Sequence, residues 1–73
     1  MYLYMPLEEH LHSNEIGDYT SFGLILKDDN GRELAKISDI SNDEVFITEM
    51  CQLFTIHQLS PIHLLDVIED FLN

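Results

Sequence analysis

The 73-residue chain sets fourteen Asp and Glu against three Lys and Arg, for a formal net charge of −11. A field this one-sided repels nucleic acid and anionic membrane surfaces and attracts basic partners. One cysteine and no metal-finger spacing leave neither a disulfide nor a zinc staple to support the fold.

The N-terminus, Met1 to Leu7, lacks the basic region and longer apolar run of a signal peptide, and no stretch approaches the ~20 apolar residues of a membrane span. A cytoplasmic protein with no membrane partner is expected. Residues 2–12 alternate, predicting a strand over about 2–11, with Leu3, Met5, Leu7 and Leu11 on one face and Tyr2, Tyr4, Glu8, His10 and His12 on the other. Pro6 cannot donate to a ladder, which places this strand at a sheet edge. A loop over 13–18 turns the chain into a second strand over 19–28.

Asn30-Gly31 predicts a tight type I′ hairpin, because both central positions of that turn need positive φ. Closing a two-residue loop pairs Asp29 with Arg32, Leu26 with Ala35, Leu24 with Ile37 and Phe22 with Asp39. Phe22, Leu24, Leu26, Ala35 and Ile37 then share one face, with the third strand at 33–39. Ser41 and Glu44 have the spacing of a capping box, so a helix is predicted over 42–57. Its apolar face holds Phe46, Ile47, Met50, Leu53, Phe54 and His57, with Val45 and Ile56 off it. Cys51, within this apolar run, reads as a small buried hydrophobe in a reducing compartment. Ser60 as N-cap and Pro61 at the first helical position start a second helix over 61–72. It should bury Leu64, Leu65, Ile68, Phe71 and Leu72 and expose His63, Asp66, Glu69 and Asp70. The order predicts a single α+β domain over residues 1–73, a three-stranded antiparallel β-meander followed by two helices packed on one face.

Few constellations suggest chemistry. Glu8, His10 and His12 recur every second residue and could chelate a transition metal, but one edge strand fixes no fourth ligand, so a solvated face is the simpler reading. His63, Asp66 and Asp70 form a stripe that reads as the wet side of an amphipathic helix. His57, near a helix C-terminus, is placed to meet a free carbonyl. Asp28 to Gly31 fails as a calcium loop, because Gly31 in the sixth position would make Leu26 the first ligand. A helix-turn-helix fails because the second helix has three acids and no base. With neither a phosphate-cradling loop nor a nucleophile elbow, no enzyme and no cofactor are predicted.

Asp39-Ile40-Ser41, Cys51 and the tail from Leu59-Ser60-Pro61-Ile62-His63-Leu64 through Asp66-Val67-Ile68-Glu69-Asp70-Phe71-Leu72 resemble a family of small, uncharacterised bacterial proteins, a domain of unknown function. Tyr19 to Leu24 is a looser match to that family's central strand. The resemblance implies a cytoplasmic stand-alone domain and supplies no activity.

All three bases fall between Lys27 and Lys36, so residues 39–73 carry seven acids and no Lys or Arg. The expected function is a non-enzymatic interaction protein that docks this acidic surface onto a basic, nucleic-acid-handling protein, as an inhibitor or phosphate mimic. His63, Asp66, Glu69, Asp70, Asp43, Glu44 and Glu49 are its candidate contacts. The alternative is a self-associating domain, a homodimer formed through the sheet edge or through Val45 and Ile56. A chain this short buries only about 60 % of its unfolded surface, which makes some association expected. A histidine metal module is the remote third reading.

Overall fold

The computed structural model describes residues 1–73. Its elements are strands β1 (Leu3–Ser13), β2 (Gly17–Lys27) and β3 (Glu33–Ser41), helix α1 (Glu44–Ile56), a 3₁₀ turn (Pro61–His63) and helix α2 (Leu64–Leu72). The strands form one antiparallel sheet in the order β1-β2-β3, and both helices lie on one side of it, giving the expected α+β architecture.

The β1–β2 connection sets which side of β1 is covered. Ser13 pairs with Gly17, leaving three residues in the loop, and Gly17 takes φ +78°, where glycine is strain-free. This odd spacing sets even residues of β1 opposite even residues of β2: Tyr4 faces Leu26, and Pro6 faces Leu24. The tyrosine side of β1 therefore meets the helices, and Leu3, Met5, Leu7 and Leu11 line the uncovered side. Tyr4 is buried, packs edge-on to Phe54 at 5.4 Å between ring centres, and donates its hydroxyl to the Leu59 carbonyl at 2.6 Å.

The β2–β3 turn is not the predicted type I′. Gly31 N–H donates to the Asp28 carbonyl at 3.1 Å, Asp28 N–H donates to the Arg32 carbonyl at 3.0 Å, and only Gly31, at φ +79°, is left-handed. This is a type I turn closed by a glycine bulge. The Asp28 carboxylate stabilises it by accepting from the Asn30 and Arg32 amides. Beyond it, Leu26 pairs with Ala35 and Leu24 with Ile37, as the hairpin pattern requires. Phe22 then pairs with Ser41 rather than Asp39, because β3 bulges between these pairs. Gly23 makes room for the bulge: a Cβ there would lie 2.0 Å from the Ile37 carbonyl oxygen. Asp39, within the bulge, has φ +54°.

Helix α1 starts later than the capping box predicts. Asp43, not Ser41, is the N-cap, and its carboxylate accepts from the Val45 and Phe46 amides at 3.0 and 3.2 Å. Ser41 Oγ instead accepts from Asp43 N–H. Ser60 makes no side-chain cap, and the turn Pro61–His63 precedes α2 proper. Ten residues form the core: Tyr4, Phe22, Leu24 and Leu26 from the sheet, Ile47, Met50, Cys51 and Phe54 from α1, and Leu64 and Ile68 from α2. Phe71 is 40 % exposed yet sets its ring against Phe54 at 5.6 Å. Leu65 and Leu72, expected inside, are exposed, because the short α2 turns Leu64, Val67, Ile68 and the Phe71 ring toward the core and these two away.

Candidate interaction site

The predicted acidic contacts occupy the helical layer. Glu44, Glu49, Asp66, Glu69, Asp70 and His63 are exposed, and none of them forms an ion pair. Asp43 is exposed too, but its carboxylate is engaged by the amides it caps. His63 sits at the start of α2 and caps nothing with its side chain. Exposed Ile62, Leu65 and Leu72 lie among these acids, and Leu65 and Leu72, seven residues apart, share one helical stripe. The layer thus offers unneutralised carboxylates interleaved with apolar contacts.

The histidines of β1 stand apart, near the far end of the β1–β2 hairpin. His12 Nδ1 lies 2.8 Å from Asp18 Oδ1, and His10 Nε2 lies 3.3 Å from Glu8 Oε2. The pairs are separate, and no three ligating groups converge on a point that would hold a metal. His57 caps α1 through its backbone, donating its N–H to the Leu53 carbonyl. Cys51 is buried, and burial pushes its thiol up to about 11, so it stays protonated and unreactive near neutrality.

Two further arrangements escape the sequence. The first closes the outer edge of β1. Thr55 Oγ1 accepts from Tyr4 N–H at 3.0 Å, while Gln58 accepts from Tyr2 N–H at 2.7 Å and donates to the Tyr2 carbonyl at 2.9 Å. Pro6 occupies the next outward position and has no N–H to offer. Thr55 of α1 and Gln58 just beyond its C-cap thus serve where a fourth strand would pair, which guards the edge over residues 2–6.

The second lies on the uncovered face of the sheet. The Glu9 carboxylate accepts from the Ser38 hydroxyl and, at 2.9 Å, from the Asp39 amide. The Asp39 carboxylate accepts from Ser21 Oγ at 2.6 Å and from the Tyr19 hydroxyl at 3.2 Å. All four carboxylate oxygens have a donor from the chain itself. The Ser38 hydroxyl and the Asp39 amide hold the Glu9 carboxyl below its ordinary range. Desolvation first, and the bond to Asp39 second, push the Tyr19 phenol up. The signal that could have found this cluster is Gly23, a glycine inside an otherwise apolar strand, which marks a close backbone approach.

The chain matches a family of unknown function (DUF6514) over residues 1–73. It belongs to that family. No curated protein and no solved structure matches it. No helix is long and apolar enough to cross a membrane.

Proposed function

We propose that this chain is a non-enzymatic docking domain of the bacterial cytoplasm whose acidic helical layer receives a basic protein. One observation carries the reading: Glu44, Glu49, Asp66, Glu69 and Asp70 are exposed without a cationic partner, while every base lies between Lys27 and Lys36. Fixed carboxylates with no internal counter-charge attract an external one and speed its encounter. Ile62, Leu65 and Leu72 add the desolvated contact that charge alone does not supply. A partner that handles nucleic acid presents basic residues spaced for phosphates, and the carboxylates take the place of those phosphates.

Capture from a nuclease-treated lysate at low salt tests this, with Asp66→Asn, Glu69→Gln and Asp70→Asn combined as the comparison bait. The reading expects a basic protein held by the native bait, lost from the triple variant, released by salt and displaced by added duplex DNA. Retention by the variant with unchanged salt dependence removes the acidic layer as the interface. A partner that DNA does not displace removes the phosphate mimicry and leaves the docking.

A further inference from the structure

We infer that the uncovered face of the sheet is a homodimer interface, packed face to face against the same face of a second copy of this chain. Leu3, Met5, Leu7 and Leu11 of β1 line that face with Ile25 of β2; Leu3 and Met5 are exposed, the other three half-buried, and neither helix packs over them. The inference concerns the opposite side of the molecule from the acidic docking layer and does not rest on it.

Charge selects a second copy as the occupant. Lys27 shares this face with Leu3, and Lys36 shares it with Ile25, as their pairings require. Set against Glu9, Asp39 and Glu33, which pairs with Lys27, these two lysines leave the face with one net negative charge, far less than the helical layer. A copy approaching the helical layer meets unneutralised acids, so like-charge repulsion steers self-association to the sheet. The face is also self-complementary. A two-fold axis across the strands near Leu7 and Gly23 sets the Lys36 level of one copy against the Glu9–Asp39 level of the other. Antiparallel sheets packed in this way keep their strands within about 30° of each other.

The polar cluster does not oppose such covering. Burying a carboxylate is costly unless its oxygens are hydrogen-bonded. Here Ser38, the Asp39 amide, Ser21 and Tyr19 supply one donor to each oxygen of Glu9 and Asp39. Such an island can lie under a second copy without leaving an orphaned group. The edge route to self-association is meanwhile narrowed by Thr55, Gln58 and Pro6 over residues 2–6 of β1 and by the bulge in β3.

The size of the face sets the strength. β1 at ~3.3 Å per residue runs ~36 Å, and three strands ~4.8 Å apart with their side chains cover ~15 Å. The flat footprint is roughly 550 Å², against ~600 Å² per partner for the smallest specific interfaces. The face is therefore at the small end for a specific interface, and the expected dimer is weak and reversible.

Sedimentation equilibrium of the untagged chain from about 1 to 300 μM tests the inference. The expected mass rises from 8.5 kDa on dilution to twice that value at the highest concentrations. Met5→Lys and Leu3→Lys replace side chains that are exposed in the single chain, so they should fold, as far-UV circular dichroism will verify. Each should weaken the dimer at least tenfold, whereas Leu65→Lys and the triple neutralisation on α2 should leave it unchanged. A readout without substitution is the Met5 methyl resonance, which should gain protection from a soluble paramagnetic probe as concentration rises. A mass of 8.5 kDa throughout overturns the inference and leaves the face to a different protein. A dimer indifferent to Met5→Lys and Leu3→Lys but lost with Leu65→Lys overturns it by moving the interface to the helices.

Discussion

A Cβ at Gly23 would meet the Ile37 carbonyl oxygen, a backbone atom with no rotamer to give way. Gly23→Ala therefore has to push β3 off the sheet face or tilt β2, and either movement carries Ser38 and Asp39 away from Glu9 and Ser21. Ser21 is only 2 % exposed, so its hydroxyl would lose the Asp39 carboxylate without gaining water and keep only the longer bond to the Ser41 carbonyl, at 3.2 Å. The expected loss is ~3 kcal/mol, at the upper end of overpacking effects. Urea unfolding at fixed protein concentration measures it. A loss under ~0.5 kcal/mol, the size of an ordinary surface substitution, would mean that the bulge does not depend on this glycine. Asp39 tolerates its left-handed backbone for a related reason: short polar side chains bond locally there, and its carboxylate is held by Ser21 and Tyr19.

Among the elements, the start of α1 separates two accounts of its cap. A capping box would give Ser41 and Glu44 reciprocal roles, yet Asp43 holds both the Val45 and Phe46 amides and Glu44 makes no such bond. Asp43→Ala should cost ~1 kcal/mol, and Glu44→Ala no more than ~0.5 kcal/mol, through the helix dipole alone. Equal losses in thermal unfolding would restore the capping box. The sequence carried two of these signals, S-x-x-E and an acid immediately before the helix, and they compete at the same terminus. The β2–β3 register was legible at Leu24–Ile37 and Leu26–Ala35, where a turn and a period of two agree. It failed at Phe22, because pairing by count allows no bulge. The covered side of β1 was hidden for another reason. Both sides carry apolar residues near the N-terminus, and the deciding parity comes from a three-residue loop that the pattern alone does not measure. The acidic layer was readable from charge order, whereas the edge cover by Thr55 and Gln58 joins residues more than fifty positions apart.

At the scale of the whole molecule, repulsion outweighs attraction. The one pairing with a permanent cation, the N-terminal amine with Asp29, is exposed, as are the His10–Glu8 and His12–Asp18 contacts, and no Lys or Arg forms an ion pair. Pairs of this kind contribute little in water. Against them stand fourteen acids, the majority without a cationic neighbour, on a chain only 39 Å long. Their separations are comparable to the ~10 Å Debye length at 0.1 M salt, so added ions screen the repulsion effectively. Sodium chloride should therefore stabilise this protein, raising its Tm by several degrees between ~10 and ~500 mM at constant protein concentration and neutral pH. Chloride is the right anion, because sulfate would also strengthen apolar burial. The same screening relieves repulsion between two copies and weakens capture of a basic partner. One salt series should thus move folding and self-association in one direction and acidic docking in the other. A Tm that falls with sodium chloride would mean that attractive ion pairs dominate, and would remove the repulsion that steers a second copy onto the sheet.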